Sequence, residues 1–374
     1  MRLTLLVTIF FPPLLGGVEH YWREVAERWP TGKLIVFTNP HSLANALDQK
    51  ANYSIIRQPI FAWSKVRPSW LPLIWKITRI IRKQRIQTVL FGHYANYAII
   101  GLILKWIFKV PYRVMTHGID TMIPRRTRLG RWALKLTLKN AERVYCNSQS
   151  TFRSLSKLNM TGLKLSVAPP GIDPKRYSIT DKNEAKRRLG LSGRFVILTV
   201  ARLINLKGVD LVIRALARLS NLKNLSYLIV GDGPERTKLT GLVSDLKLDD
   251  YVKFIGEIKD DDADKSRYYN AADLFVLTTR PVNDHVESFG IVFLEAGLYC
   301  LPVIASHSGG ASELIIHNQT GLLINPDSVP ELVQAINQLS VDTAFAISLG
   351  QRLREHIKSH YRWDQTLDVL TDGT

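Results

Sequence analysis

The sequence has little of what several protein classes depend on. Only two of its 374 residues are cysteine, Cys146 and Cys300. Two thiols cannot build a disulfide framework, which favours a reducing compartment. No apolar run reaches the roughly 20 residues that a membrane span needs. The longest, "YAIIGLILKWIF" at 97–108, carries Lys105 and is expected to be a buried helix. The opening "MRLTLLVTIFFPPLLGG" has the order of a secretory leader, Arg2 before an apolar run. No small-x-small cleavage site follows, and "GGVEHYWREVAERW" continues as a helical pattern, so a strand is expected there. There is no zinc-like Cys/His cluster, no G-x-S-x-G elbow and no G-x-G-x-x-G fingerprint. Internal repeats and low-complexity tracts are also missing. The acidic run "KDDDADK" at 259–265 lacks calcium-ligand spacing and is expected to open a helix, "KSRYYNAADL", where carboxylates favour the N-terminus.

Acidic side chains are scarce in one half only. Residues 1–170 hold 26 Lys and Arg against 6 Asp and Glu, whereas the remainder holds 24 against 26. The formal charge of +18 therefore sits almost wholly on the first half. Such a field implies an anionic partner: membrane lipid, nucleic acid or a phosphorylated acceptor. "SWLPLIWKITRIIRKQRIQ" at 69–87 mixes Trp70 and Trp75 with Lys76, Arg79, Arg82, Lys83 and Arg85. "RRTRLGRWALKLTLKNAERV" adds Arg125, Arg126, Arg128, Arg131 and Trp132. Basic helices with tryptophan suit an anionic membrane surface. The alternative is an ordinary amphipathic helix with its apolar stripe on a sheet and its cations in water. Packing is expected for much of the apolar face and membrane contact for the basic rim. The expected location is cytoplasmic, peripheral on the inner face of the cell membrane. A nucleic acid partner is not expected, because no recognisable DNA- or RNA-binding motif accompanies the charge.

What is present is alternation. Short apolar segments ("LTLLVTIF", "KLIVFT", "TVLFGH", "RVMTHG", "RVYCNS", "KLSVAP") alternate with helix-length amphipathic ones in the first half. "FVILTVAR", "SYLIVGDG", "VKFIGE", "DLFVLTT", "PVIAS" and "GLLIN" do so in the second. This pattern predicts an α/β protein with two doubly wound parallel sheets covered by helices. The boundary is placed in "VAPPGIDPKRY", where Pro169, Pro170, Gly171 and Pro174 break both element types. The expected domains are 1–168 and 169–359, with a helix at about 360–374. Ligands of such sheets lie at the carboxyl ends of the strands.

Five strand ends stand out. In "ILTVARLINLKG", Arg202 and Lys207 follow a strand and Gly208 precedes a helix, a site for a phosphate or merely two surface cations on a loop. "LIVGDGPERTKL" places Gly231 and Gly233 in a strand-to-helix turn, which serves either a nucleotide or an ordinary tight turn. Gly16 and Gly17 open the first helix and leave N–H groups for an anion. "RVMTHGID" ends a strand with Thr116, His117 and Asp120, and the histidine is structural or functional with equal justification. In "VESFGIVFLEAG", Glu287 and Glu295 bracket an otherwise apolar segment. Two carboxylates at that separation suit a polyhydroxylated ligand, or cap a helix and pair with a cation.

Together these segments closely resemble the retaining nucleotide-sugar glycosyltransferases of the GT-B fold, glycosyltransferase family 4. The resemblance is carried by "VAPPGID", "VARLINLKGVDLVIRAL", "YLIVGDGPERTKL", "YYNAADLFVLTT", "ESFGIVFLEAGLYCLPVIAS", "GGASELI" and "NQTGLLINP". It is dense over about residues 165–340 and thinner before them, through "GGVEHY" and "THGID". It implies two Rossmann-like domains facing a central cleft, the first binding the acceptor and the second the nucleotide sugar, with the last helix packing back on the first. "ESFGIVFLE" matches the E-x7-E signature, which sets Glu287 at the transferred sugar and Glu295 at the ribose. Ser288, Phe289, Gly290, Ile291 and Val292 would hold sugar hydroxyls and the distal phosphate, largely through backbone amides. Arg202 and Lys207 match the pair that grips the diphosphate and stabilises the leaving group without a metal. His117 matches a histidine near the reaction centre; Gly16 and Gly17 match the loop near phosphates and acceptor. Gly233 and Ile258 fall near the nucleotide. No cofactor is implied. The loop "TTRPVNDHVESFG" is longer than the short Pro-Ser turn of many relatives and bears on which sugar is taken. The resemblance implies retaining transfer of a hexose, and the basic first half points to a membrane-associated lipid or lipid-linked glycan as the acceptor. The alternatives are a nucleotide-sugar epimerase of the same fold and, from another class, a basic nucleic-acid-binding protein.

Overall fold

Runs of Val, Ile, Leu and Phe become strands whose successive side chains enter opposite cores. Leu5 and Val7 pack in one cluster and Leu6 in another. Val196 and Leu198 likewise face away from Ile197. Both faces of each sheet are covered, so these strands read as continuous apolar runs rather than as alternation. The computed structural model describes residues 1–60, 71–94, 100–118, 120, 127–158, 160, 162–220, 223–258, 262–283 and 285–371.

Two compact units result, Met1–Gly171 with Trp363–Thr374, and Ile172–Arg362. In the first, β1 (Thr4–Val7), β2 (Leu34–Thr38), β3 (Ser54–Arg57), β4 (Thr88–Phe91), β5 (Tyr112–Thr116), β6 (Arg143–Cys146) and β7 (Leu165–Val167) form a parallel sheet in the order 3-2-1-4-5-6-7. In the second, β8 (Phe195–Val200), β9 (Leu225–Val230), β10 (Val252–Gly256), β11 (Leu274–Leu277), β12 (Val303–Ser306) and β13 (Leu322–Ile324) take the order 10-9-8-11-12-13, again parallel. Each unit is a Rossmann-like domain whose strand order reverses once, between β1 and β4 and between β8 and β11. Those reversals are where ligands of such sheets sit.

The sequence reading did not include β3. It is a four-residue edge strand whose residues are half-buried or exposed, so it carries no apolar run to find. The segment 97–108 is also only partly as expected. Its helix spans Ile100–Ile107, with Leu102 and Leu104 buried but Trp106 and Ile107 at 51% and 68% exposure. Residues 97–99 lie outside the described residues, as do Trp70, Arg125, Arg126 and the first residues of the acidic run 259–265.

The chain's last helix, Trp363–Thr371, belongs to the first unit. Trp363 packs in the cluster of Tyr21 and Trp22. Arg113 Nη1 and the Tyr145 hydroxyl each donate to the Leu370 carbonyl at 3.2 Å, and Thr366 Oγ1 donates to the Pro169 carbonyl at 2.6 Å.

Candidate active site

In the second unit the carboxyl ends of β8 and β11 are stitched together. After β8 the chain makes a 3-10 turn, Asn205–Lys207, and then bends at Gly208 with φ 64° into the helix Val209–Leu216. A Cβ on Gly208 would lie 1.9 Å from the carbonyl oxygen of Thr278, the residue after β11. The Thr278 hydroxyl donates to the Gly208 carbonyl at 2.9 Å. Two residues on, the Arg280 N–H donates to the Leu206 carbonyl at 2.9 Å, and its guanidinium pairs with Asp210 and, at 3.0 Å, with Asp327. Arg280 thus ties the start of the long loop to the turn that carries Lys207. Sequence reasoning did not single out Arg280; its place three residues beyond a strand end was the available signal.

Lys207 and Glu287 form an ion pair, their side chains 17% and 15% exposed. The backbone of Glu287 is held from the other side. The Gly310 N–H donates to its carbonyl at 2.8 Å, and Gly309 approaches so closely that a Cβ would lie 2.0 Å from that oxygen. Gly290, at φ 89°, then starts the helix Ile291–Leu298, whose first turn no side chain caps. Phe289 is buried against Tyr361, with ring centroids 5.7 Å apart, so its side chain is committed to the core. Ser288 is half-buried, and Ile291 and Val292 pack partly on the same core. Uncapped amides at a helix start, with a carboxylate and an ammonium beside them, make a place for an anion bearing hydroxyls. Arg202 is exposed, with neither an ion pair nor a hydrogen-bond partner for its guanidinium among the described residues.

Glu295 is 3% exposed. Its Oε2 accepts from the Tyr269 hydroxyl at 2.6 Å, and Lys265 Nζ lies 3.4 Å from Oε1. Burial, then the Glu295 charge, push the Tyr269 phenol well above its usual range, so it stays a donor. Tyr269 and Lys265 were not read from sequence, because only the folded chain sets the helix Asp262–Ala271 beside Glu295. At the neighbouring strand ends, Gly231 donates its N–H to the Gly256 carbonyl at 2.8 Å, and Ile258 follows β10, partly buried on the same core. Gly233 is required by packing: a Cβ there would lie 2.4 Å from the Leu203 carbonyl oxygen.

In the first unit, His117 follows β5 and is 7% exposed. Its Nε2 lies 3.0 Å from the Gly92 carbonyl, which can only accept, so Nε2 carries the proton. Burial drives its pKa down to about 4 against the raising effect of that bond, so the ring is neutral at pH 7. His93, at the end of β4, is 4% exposed and is lowered to about 3 by burial and by His117. It was missed although it too ends a strand, because "FGH" lacks a second polar neighbour. Trp22 Nε1 donates to the same Gly92 carbonyl at 2.9 Å, and Tyr21 stands edge-on to His117 at 5.7 Å. Gly16 is the N-cap of the helix Gly17–Arg28 and offers it no side chain, and the Glu19 carboxylate stands close by.

Known proteins resemble the chain over nearly its whole length. The family described as "Glycosyl transferases group 1" matches residues 181–359, and "Glycosyltransferase Family 4" matches residues 15–176. A GDP-mannose-dependent alpha-(1-6)-phosphatidylinositol monomannoside mannosyltransferase of Mycobacterium tuberculosis is 30% identical over 386 residues, covering 100% of this chain and 98% of that protein. A D-inositol 3-phosphate glycosyltransferase of Pseudarthrobacter chlorophenolicus is 26% identical, covering 90% and 84%. Among solved structures, Anabaena Alr3699/HepE in complex with UDP superposes with a TM-score of 0.83 at 23% identity, covering 100% and 99% of the two chains.

Proposed function

The chain is a member of glycosyltransferase family 4, with the GT-B fold, and from that membership we propose that it transfers mannose from GDP-mannose to a hydroxyl of a phosphatidylinositol mannoside-type lipid, with retention and without a metal. The observation that carries the reading is the Lys207–Glu287 pair at the strand-order reversal of the second sheet, beside an uncapped helix start. What supports GDP-mannose as the donor is the full-length mannosyltransferase relative. The UDP-bound neighbour, at 23% identity, speaks to the fold alone.

In this reading Arg202 and Lys207 grip the diphosphate and neutralise charge as the bond to the sugar breaks. Diphosphate binding draws Lys207 from Glu287, which frees the carboxylate for a sugar hydroxyl. Amides from Phe289 to Val292 hold the distal phosphate and sugar, Glu295 takes the ribose, and Gly233 and Ile258 border the nucleotide. The departing phosphate oxygen takes the acceptor proton. Neutral His117 and the Gly16–Gly17 loop serve the acceptor. A thermal-shift series tests the donor: GDP-mannose raises the melting temperature more than UDP-glucose does, because a ligand bound only to the native state stabilises it. Equal shifts, or none with GDP-mannose, contradict the assignment.

A lipid acceptor fits the first unit's outer surface. The helices Leu71–Gln84, Ile100–Ile107 and Arg128–Asn140 send Leu73, Ile77, Leu102, Leu104, Leu134 and Leu138 into one cluster. Outside they leave Trp75, Trp106 and Trp132 at 63%, 51% and 59% exposure, and Arg79 stacks on Trp75 at 5.4 Å. No helix among the described residues is long and apolar enough to cross a membrane. Three indoles among cations suit the headgroup level of an anionic leaflet. The protein is expected to sediment with anionic vesicles at low salt and to be released by salt, and Trp75→Ala with Trp132→Ala weakens that binding. Failure to sediment with anionic vesicles at low salt ends the membrane part of the proposal.

A further inference from the structure

The first unit also holds a cavity of about 490 Å³ that none of the residues above explains. It lies between the helix Gly17–Arg28, the edge strand β3 and the chain after β1. That volume falls in the range of small-molecule sites, roughly 300–1,000 Å³. Its walls mix both charge signs with an aromatic pair. Phe11 and Tyr53 meet edge to face, with centroids 6.3 Å apart. Arg23 and Glu27 line it from the helix, and Asp48 and Arg57 from beyond. Two of the six acidic side chains of residues 1–170 thus line one cavity, although the surrounding half is strongly cationic.

The chemistry narrows the ligand. Asp48 holds Arg57 in a fork, at 2.7 Å and 2.8 Å, and the Pro12 and Asn39 carbonyls take two more of its five N–H groups at 2.7 Å and 3.1 Å. Arg57 and Asp48 therefore answer each other, and the rest of the lining carries Arg23 and Lys50 with Glu27, so neither a phosphate nor a cation meets one sign of charge alone. What fits both signs is a neutral group that donates and accepts alike: a ring of hydroxyls, with its C–H face on the aromatic pair. The Tyr53 hydroxyl makes no hydrogen bond among the described residues. Burial, then the Glu27 and Asp48 charges, raise its pKa to about 12, so it keeps its proton and is available to donate.

We propose that this cavity is a subsite for a sugar or cyclitol ring of the acceptor's headgroup, with Glu27 and Tyr53 as its principal hydrogen-bonding groups. It rests on the glycosyltransferase reading and adds where the acceptor is recognised. Glu27 lies ten residues beyond Gly17, about 15 Å along the helix at 1.5 Å per residue. A ring held at Glu27 thus lies away from one at the start of that helix.

The test uses the full chain and saturation-transfer NMR with myo-inositol and methyl glycosides of mannose, glucose and N-acetylglucosamine. At least one ring is expected to bind, and Glu27→Gln and Tyr53→Phe each weaken that binding about tenfold, the scale of one lost bond to a charged or buried group. The melting-temperature shift with nucleotide sugar is measured on the same samples and stays at the wild-type value in both variants. If no ring binds the wild-type chain, or both variants bind like it, the inference is overturned. Loss of the nucleotide-sugar shift in the wild-type chain would count against the donor reading alone.

Discussion

Lys207→Ala lowers the turnover of sugar transfer by about 10²–10³-fold, the usual cost of removing one preorganised group that meets charge in the transition state. The variant stays folded, because the turn that carries Lys207 is fixed by backbone contacts and by Arg280 rather than by its own side chain. What it loses locally is the partner of Glu287, a carboxylate that is 15% exposed and so still partly solvated. Glu287→Gln is expected to act on the same step, and the double variant to lose less than the two single losses combined, as groups in direct contact do. Donor affinity separates the two ways of failing. A fall in turnover at unchanged KM marks an interaction made in the transition state, whereas a rise in KM alone marks uniform binding. Near-native turnover of purified Lys207→Ala removes the diphosphate role.

Gly208→Ala is expected to destabilise the second unit by at least about 3 kcal/mol, combining left-handed backbone strain with a backbone clash. The added methyl would sit 1.9 Å from the Thr278 carbonyl oxygen, and neither backbone can yield without separating the carboxyl ends of β8 and β11. Gly190→Ala, in the same unit, is the control. Its φ is 68°, but nothing lies within 4 Å of where a Cβ would stand, so only the dihedral cost of about 1 kcal/mol applies. Urea unfolding of the two variants reads the difference. A Gly208→Ala midpoint equal to that of Gly190→Ala contradicts the claim that the two strand ends must touch.

The same residue shows what sequence could reveal. Its place between Lys207 and a helix start marked a strand-to-helix turn, and the turn is there. Why a glycine is needed was not legible, because the reason is Thr278, seventy residues later. Gly233 teaches the same lesson: read as a ligand-contact position, it is demanded by the Leu203 carbonyl whatever else it touches. All six strands of the second unit were visible as apolar runs: five are largely buried, and the half-exposed edge strand β10 still carries Val252, Phe254 and Ile255. In the first unit β3 was invisible because an edge strand with half-exposed residues needs no such run. Arg280, Lys265, Tyr269 and His93 acquire meaning only through partners distant in sequence. The exposed indole of Trp106 runs against a reading in which every apolar helix is buried.

The central claim is transfer from a nucleotide sugar by the group of residues at the β8 and β11 ends. The most direct measurement is incorporation of labelled mannose from GDP-mannose into phosphatidylinositol mannoside in detergent or vesicles, by the wild-type chain and by Lys207→Ala. The account predicts a labelled glycolipid with the anomeric configuration of the donor from the wild-type chain and almost none from the variant. Label that stays on the nucleotide, or equal incorporation by both proteins, would contradict it.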